Sequence, residues 1–341
     1  VNSAAPSPPD RPRLLILHGD DLPPGRERIE GHPGLGGVAY TTADGLSAAL
    51  PGTDILFVWD LFSEALEASW PEADALTWVH AATAGVDNLM FPALAGSGVT
   101  VTNSRGIFDQ PIAEYVLGLV VAYAKDFHRT WEYQRERRWE HRETARVAGS
   151  RALIVGTGPI ARATARLLTA VGVRVRASGS RARTGDPDFG DVVLSSTAET
   201  GPGGEPTLFG EIPAADHVII AAPLTDATRG LVDRAFLDLM KPTAHLINVA
   251  RGPIVDQPAL VEALDSGGIA GAALDVFERE PLKAINPLWG LPGSVVSPHM
   301  AGDVVGWREE LVDLFLDELS RHLDGREPRN VVDKCRGYVP G

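Results

Sequence analysis

Short apolar runs alternate with longer stretches of mixed polarity along nearly the whole chain. LLILH (14–18), DILFVW (54–59), LTWVH (76–80) and VTVTN (99–103) read as strands, because β-branched, aromatic and aliphatic side chains cluster there between turn formers. Between them, DGLSAAL (44–50) and LFSEALEASW (61–70) carry helical patterns. A βαβα rhythm of this kind predicts a parallel sheet with helices on both faces. The rhythm stops across a polar stretch studded with aromatics, FHRTWEYQRERRWEHRETARVAG (127–149), and restarts at RALIVG (151–156). Further strands are predicted at 173–177, 216–222, 244–249, 271–276 and 294–298. The restart predicts two α/β domains. Residues 185–212 are rich in Gly, Pro and Asp and predict an extended loop. Val304, Trp307, Leu311, Leu314, Phe315 and Leu319 recur at helical spacing and predict a final helix over 303–323.

Composition narrows the class. A chain of 341 residues exceeds a single ordinary core, and 22% charged with 44% hydrophobic residues is the balance of a soluble globular protein. The longest apolar run, YVLGLVVAYA (115–124), is too short to span a bilayer, so no membrane partner is expected. VNSAAPSPPDRPR (1–13) reads as a Pro-rich disordered lead-in without the apolar core of a secretory leader, and a cytoplasmic location is expected. A formal charge of −14 disfavours nucleic acid, whose phosphates need a basic face. Cys335 is the only cysteine, which excludes an intrachain disulfide or a cysteine metal cluster. The acidic side chains show no compact ligand spacing, so no metal is expected.

ALIVGTGPIARATARLL (152–168) carries Gly156-x-Gly158-x-x-Ala161 between a buried-type strand and an Ala-rich helix. Each small residue has a use in binding a dinucleotide: Gly156 for the tight turn, Gly158 for close approach of the pyrophosphate, Ala161 for packing of helix on strand. The helix start would offer its N–H groups and positive dipole end to the phosphates. The strand that follows ends in VRASGSRAR (175–183), where an acid that reads the ribose hydroxyls of NAD is expected and Gly179 stands instead. No carboxylate is there to repel a 2′-phosphate. Ser178 and Ser180 can donate hydrogen bonds, Arg181 can form a charge-assisted pair with a phosphate, and Arg183 is a reserve cation. The alternative is a basic turn that faces solvent.

LINVARGPIVDQPALVEAL (246–264) places Arg251 just past a strand end, where ligands collect in open α/β sheets, and Asp256 before a helix it can cap. ALDVFEREPL (273–282) carries Glu280, and VVSPHMAG (295–302) carries His299. An Arg, a Glu and a His at strand ends of one sheet form a candidate catalytic set; taken singly, each reads equally well as a structural residue.

At these residues the chain resembles the D-isomer-specific 2-hydroxyacid dehydrogenases, through AGVDNL (84–89), PIAEYVL (111–117), VGTGPIA, PLTDATRGL (223–231), INVARG, ALDVFEREPL and SPHMAG in that order. The resemblance runs from about Leu14 to Pro340. It implies two Rossmann-like, doubly wound parallel-sheet domains with the active site in the cleft between them. Residues 14–111 and 303–341 would form a discontinuous substrate domain, and 112–302 the dinucleotide-binding domain. It implies that Arg251 binds substrate, that His299 is the acid/base, and that Glu280 orients His299 and favours its imidazolium. The backbone at Ala84, Gly85 and Val86 would hold the substrate carboxylate. The implied cofactor residues are Gly156, Gly158, Pro159, Ile160, Ser178, Ser180, Arg181, Pro223, Thr228, Val249, Ala250 and Asp275, the last contacting the nicotinamide amide. Trp139 lies where relatives form dimer contacts, Met300 and Trp307 are candidates for the substrate side-chain pocket, and His80 reads as structural. The expected activity is reduction of a small 2-keto acid, glyoxylate or hydroxypyruvate, to the D-2-hydroxy acid by a homodimer using NADPH. The alternatives are an NAD-dependent enzyme of the same family and a dinucleotide-sensing scaffold on the same fold.

Overall fold

The computed structural model describes residues 11–198, 200–201, 204 and 206–340. Most of the predicted disordered lead-in, residues 1–10, lies outside the described residues. The chain divides into two compact units, one running up to Ile107 and resuming at Val304, the other spanning Phe108–Asp303.

In the first unit β1 (Arg13–Leu17), α1 (Arg26–Glu30), β2 (Gly37–Thr41), α2 (Leu46–Ala49), β3 (Ile55–Val58), α3 (Ala65–Ser69), β4 (Trp78–Ala81), α4 (Pro92–Ala95) and β5 (Thr100–Asn103) follow one another. The strands pair in parallel in the order β2-β1-β3-β4-β5. β3 and β4 are buried along their whole length, as a parallel strand covered on both faces must be.

In the second unit α5 (Asp109–Ala124) and α6 (Phe127–Glu136) precede β6 (Arg151–Val155), α7 (Pro159–Ala170), β7 (Arg174–Gly179), β8 (Arg183–Asp186), β9 (Gly190–Leu194), α8 (Leu208–Glu211), β10 (His217–Ile220), α9 (Arg234–Asp238), β11 (His245–Asn248), α10 (Gln257–Asp265), β12 (Gly271–Leu274) and β13 (Ser294–Val296). The sheet order is β13-β12-β11-β10-β6-β7-β9-β8, parallel throughout except for β8 against β9. The order reverses between β6 and β10, the switch point beyond which open α/β sheets bind ligands. Val116, Leu119 and Val120 of α5 share a buried core with Ala161, Ala165 and Leu168 of α7, so small residues on α7 let the two helices approach closely. Asp256 accepts the Ala259 N–H at 3.0 Å and caps α10, with Pro258 in its first turn, as the sequence predicts.

The last helix, α11 (Trp307–Leu323), belongs to the first unit, where Phe315 stacks on Phe57 with ring centroids 4.0 Å apart and on Trp78 at 5.7 Å. It begins later than the spacing predicts. Gly306 precedes it at φ +90°, and Val304 and Val305 are exposed instead of facing the core.

Two further expectations are corrected. The edge strand β2 was not predicted; its residues are mostly part-exposed, so they lack a strong apolar signature. The segment predicted as a loop over 185–212 contains the end of β8, all of β9 and the short helix α8. Phe189, Val192 and Val193 are buried there, while Gly185 (φ +69°) and Gly190 (φ +69°) make the bends that resemble loop composition.

Candidate active site

The dinucleotide end of the second unit is built around the β6–α7 turn. Gly156 adopts φ +121°, and a Cβ there would lie 2.5 Å from the Ala221 carbonyl oxygen, so no other residue fits. A Cβ on Gly158 would meet nothing within 4 Å, which leaves its backbone approachable. Pro159 occupies the first turn of α7, and no side chain caps the helix start. Ile160 is part-exposed and Ala161 fully buried. This cradle fits a pyrophosphate, whose charge the uncapped N–H groups and the helix dipole would favour.

At the end of β7 the structure separates the candidates sharply. Ser178 is completely buried and its hydroxyl finds no partner among the described residues. It sits on an interior strand, paired with β6 on one edge and β9 on the other. A Cβ on Gly179 would come within 3.1 Å of Thr157 Cγ2, a tight contact that Thr157 would have to relieve. Ser180 and Arg181 are exposed, and Arg181 has no carboxylate partner among the described residues. Arg183 is not in reserve: its Nε and Nη2 both bind Asp186 Oδ2, at 2.9 and 2.8 Å.

Three neighbouring strands, β11, β12 and β13, release the catalytic candidates from their carboxyl ends. Asn248, fully buried, shapes the first turn: its amide donates to the Arg251 carbonyl at 3.0 Å and its oxygen accepts the Ala250 N–H at 3.0 Å. Arg251 Nη1 also donates to the Ala250 carbonyl at 2.8 Å. A Cβ on Gly252 would fall 1.8 Å from the Phe277 carbonyl carbon, so the Arg251 loop lies directly on the backbone leading to Glu280.

Glu280 Oε1 accepts the Phe277 N–H at 2.9 Å, and Oε2 lies 2.8 Å from His299 Nδ1. Burial alone would push this carboxyl up; the His299 hydrogen bond, the Phe277 N–H and the charges of His299 and Arg251 outweigh it and hold it below its ordinary value. Nδ1 being committed to the carboxylate, proton exchange with a substrate would run through Nε2. The structure therefore brings Arg251, Glu280 and His299 into one electrostatic neighbourhood.

Asp275 holds the loop that carries His299. It is only 3% exposed, and its carboxylate accepts from Ser297 Oγ at 2.6 Å, Met300 N–H at 3.0 Å and Ala301 N–H at 2.9 Å. Its carbonyl accepts the His299 N–H at 2.8 Å. These bonds gather the 297–301 loop and hold His299 at φ +52°, a left-handed conformation costly for a side chain of this size. The carboxylate thus serves the His299 loop. Sequence reading missed this because nothing in ALDVFEREPL signals a partner more than twenty residues away.

The remaining candidates are placed as follows. The Thr228 hydroxyl donates to the Pro223 carbonyl at 2.7 Å and closes its own turn. Val249 is buried, Ala250 part-exposed and Pro223 exposed. In the first unit, the backbone N–H groups of Ala84, Gly85 and Val86 meet no acceptor among the described residues, while Asn103 Nδ2 fixes the Ala84 carbonyl at 2.5 Å. His80 is fully buried and bonded through Nδ1 to Thr102 Oγ1 at 2.8 Å, a structural arrangement. Trp139 is 101% exposed and Met300 44% exposed, so neither belongs to a core. Trp307 is part-buried at the start of α11. Among the described residues, no three His, Cys, Asp or Glu side chains gather to hold a metal ion, and no helix is long and apolar enough to cross a membrane.

Residues 117–301 match the family described as D-isomer specific 2-hydroxyacid dehydrogenase, NAD binding domain. The chain is 33% identical over 260 residues to a glyoxylate reductase of Thermofilum pendens, covering 73% of each protein. It is 30% identical over 251 residues to a glyoxylate/hydroxypyruvate reductase A of Arabidopsis thaliana, covering 73% of this chain and 75% of that one. Its fold is similar to a D-isomer specific 2-hydroxyacid dehydrogenase from Xanthobacter autotrophicus solved with NADPH and MES, with a TM-score of 0.77 and 29% identity over 96% of this chain and 100% of that one.

Proposed function

Because the chain belongs to the D-isomer specific 2-hydroxyacid dehydrogenase family, with its NAD(P)-binding domain, we propose that it reduces glyoxylate or hydroxypyruvate to the D-2-hydroxy acid and prefers NADPH. The observation that carries this reading is the 2.8 Å pair between Glu280 and His299, with the Arg251 charge felt at the same carboxylate. The names of the curated relatives support the substrate class, and NADPH in the Xanthobacter structure supports the cofactor.

In this reading Gly156, Gly158, Pro159 and Ile160 cradle the pyrophosphate, and Arg181 with Ser180 takes the 2′-phosphate. Pro223, Thr228, Val249 and Ala250 line the rest of the cofactor's path. When bound, the reduced nicotinamide supplies the electron pair that the keto carbon accepts. Arg251 binds the substrate carboxylate and polarises its carbonyl. His299 gives its proton from Nε2 to the developing oxyanion, and Glu280 stabilises the charged ring beforehand. In the oxidative direction the neutral ring takes that proton back. Exposure of Phe127, Trp131 and Trp139 around α6 supports a homodimer joined through this segment.

The test is steady-state turnover of a panel of 2-keto acids with each reduced cofactor. The highest kcat/KM is expected for glyoxylate or hydroxypyruvate with NADPH. A clear preference for NADH removes the cofactor assignment, and absence of turnover with any 2-keto acid leaves the dinucleotide-sensing scaffold.

A further inference from the structure

The hairpin after β7 holds an ion-pair network that the proposed chemistry does not use. Arg162, on the first turns of α7, grips Asp186 with two parallel bonds: Nη1 to Oδ1 at 3.0 Å and Nη2 to Oδ2 at 3.1 Å. Its Nη1 also reaches Asp188 Oδ2 at 2.8 Å. Arg166, one turn further along, binds Asp188 through Nε at 2.6 Å and Nη2 at 3.1 Å. Arg183 completes the set on Asp186 from within β8, and the Asp188 N–H donates to Asp186 Oδ1 at 3.0 Å. The Arg162 guanidinium lies over the Phe189 ring, 5.1 Å from its centroid. Both carboxylates are almost wholly buried, with side chains 4% and 8% exposed. The Arg162 bonds hold the Asp186 carboxyl well below the usual carboxylate range, and Arg166 does the same for Asp188.

Two features give this network a purpose. The backbone holds β8 weakly: it is a four-residue edge strand paired with β9 only at Arg183–Val192 and Asp186–Gly190, with an irregular register between. The side chains of Asp186 therefore carry much of the attachment of β8 to α7. Ser180, Arg181 and Ala182 are all that joins β7 to β8, so whatever fixes β8 fixes the backbone of Arg181. The second feature is selective neutralisation. Arg162, Arg166, Arg176 and Arg183 each have a carboxylate, whereas Arg181 has none among the described residues.

We propose that Asp186 is a positioning residue for cofactor selection: by tying β8 to Arg162 and occupying Arg183, it presents Arg181 as an uncommitted guanidinium for the 2′-phosphate. This rests on the NADPH reading above. The physical gain is preorganisation. A turn already fixed at both ends loses less freedom on binding than one that must be ordered by the ligand, and a bidentate contact is sensitive to its backbone's position. With Asp186 engaged, Arg183 does not compete for the phosphate from a second, non-productive position.

The experiment compares the ratio of KM for NADPH to KM for NADH in the wild type, Asp186→Asn, Arg181→Ala and the double variant, with melting temperature followed in parallel. D186N keeps the shape of the side chain and removes the charge. It is expected to raise the ratio about 3- to 10-fold, and to add less than about 2-fold once Arg181 is already Ala. An unchanged ratio in D186N, or an equal increase with and without Arg181, overturns the inference while leaving NADPH preference standing. If R181A alone leaves the ratio unchanged, Arg181 does not hold the phosphate and the inference falls; a wild type that prefers NADH brings down the NADPH reading itself. Should D186N fail to fold, Arg162→Lys keeps the charge and loses the two-pronged grip; a rise in the ratio supports the inference and an unchanged ratio overturns it.

Discussion

Glu280 Oε2 lies 2.8 Å from His299 Nδ1, while the other oxygen of the same carboxylate accepts the Phe277 N–H at 2.9 Å. The carboxylate is thus aimed by its own backbone before it meets the ring. Its charge persists below the ordinary glutamate range, because the shift is downward and the carboxyl takes up a proton only at lower pH. Glu280→Gln removes the counter-charge of the imidazolium. Reduction is expected to fall, and the variant to lose the acid-side decline that follows protonation of Glu280 in the wild type. His299→Gln is expected to lower kcat by about 10²–10⁴-fold across the profile. Initial rates of 2-keto acid reduction, followed from below the ordinary glutamate range upward in pH, check both.

Arg181→Ala is expected to weaken NADPH binding by about 1.5–3 kcal/mol, the range for a hydrogen bond to a charged group. Fluorescence titration with the reduced cofactor measures this directly, and a loss below about 0.5 kcal/mol places Arg181 in solvent.

Asp275→Asn puts an amide donor where an oxygen now accepts either the Ala301 N–H or the paired bonds of Ser297 and Met300. The 297–301 loop should loosen and His299 lose its orientation. The expected result is a fall in kcat of about 10- to 100-fold, with the cofactor Kd changed less than about 3-fold. A large rise in cofactor Kd at constant kcat shows instead that the carboxylate reaches the nicotinamide.

His217 and His245 begin β10 and β11 side by side, with ring centroids 5.6 Å apart. Burial pushes His217 down to about 4, against a modest opposing pull from Asp216. Burial, aided by the charges of His217 and His128, pushes His245 down to about 3. The unfolded chain binds protons at these sites from about pH 6.5 downward and the folded unit refuses them, so stability is present above that pH and drains as pH falls towards 4. With both sites contributing, the slope reaches at most about 2.7 kcal/mol per pH unit. His245→Phe preserves stacking on Tyr123 and should flatten the slope by about half, as read from urea unfolding at pH 5 and 7.

Much of this architecture is legible in the chain because strands buried on both faces must be apolar throughout. Residues 151–156, 216–222, 244–249 and 271–276 carry that signal and each contains an observed strand. Arg251, Glu280 and His299 stand out only as a set and through the resemblance, because singly each reads equally well as a structural residue. Less legible is whatever depends on side chains meeting across the fold. Asp275 and the loop it gathers are separated by more than twenty residues, and Asp186 finds Arg162 on a preceding helix. The full burial of Ser178 was not legible either, because strand position says nothing of which sheet faces are covered. The 185–212 segment misled through its glycines, which mark bends in a hairpin as readily as they mark a loop.

β8 has a consequence for the protein's life at high concentration. Without it, the larger sheet would end on β9, whose Val192 and Val193 offer an open row of backbone donors and acceptors to any passing extended chain. The antiparallel strand covers that row, and its own outer rim is short and bears Arg183 and Asp186, locked to each other and to the neighbouring helix. A rim of that kind is a poor template for growth of β-structure, so shortening the hairpin should make the protein prone to precipitate.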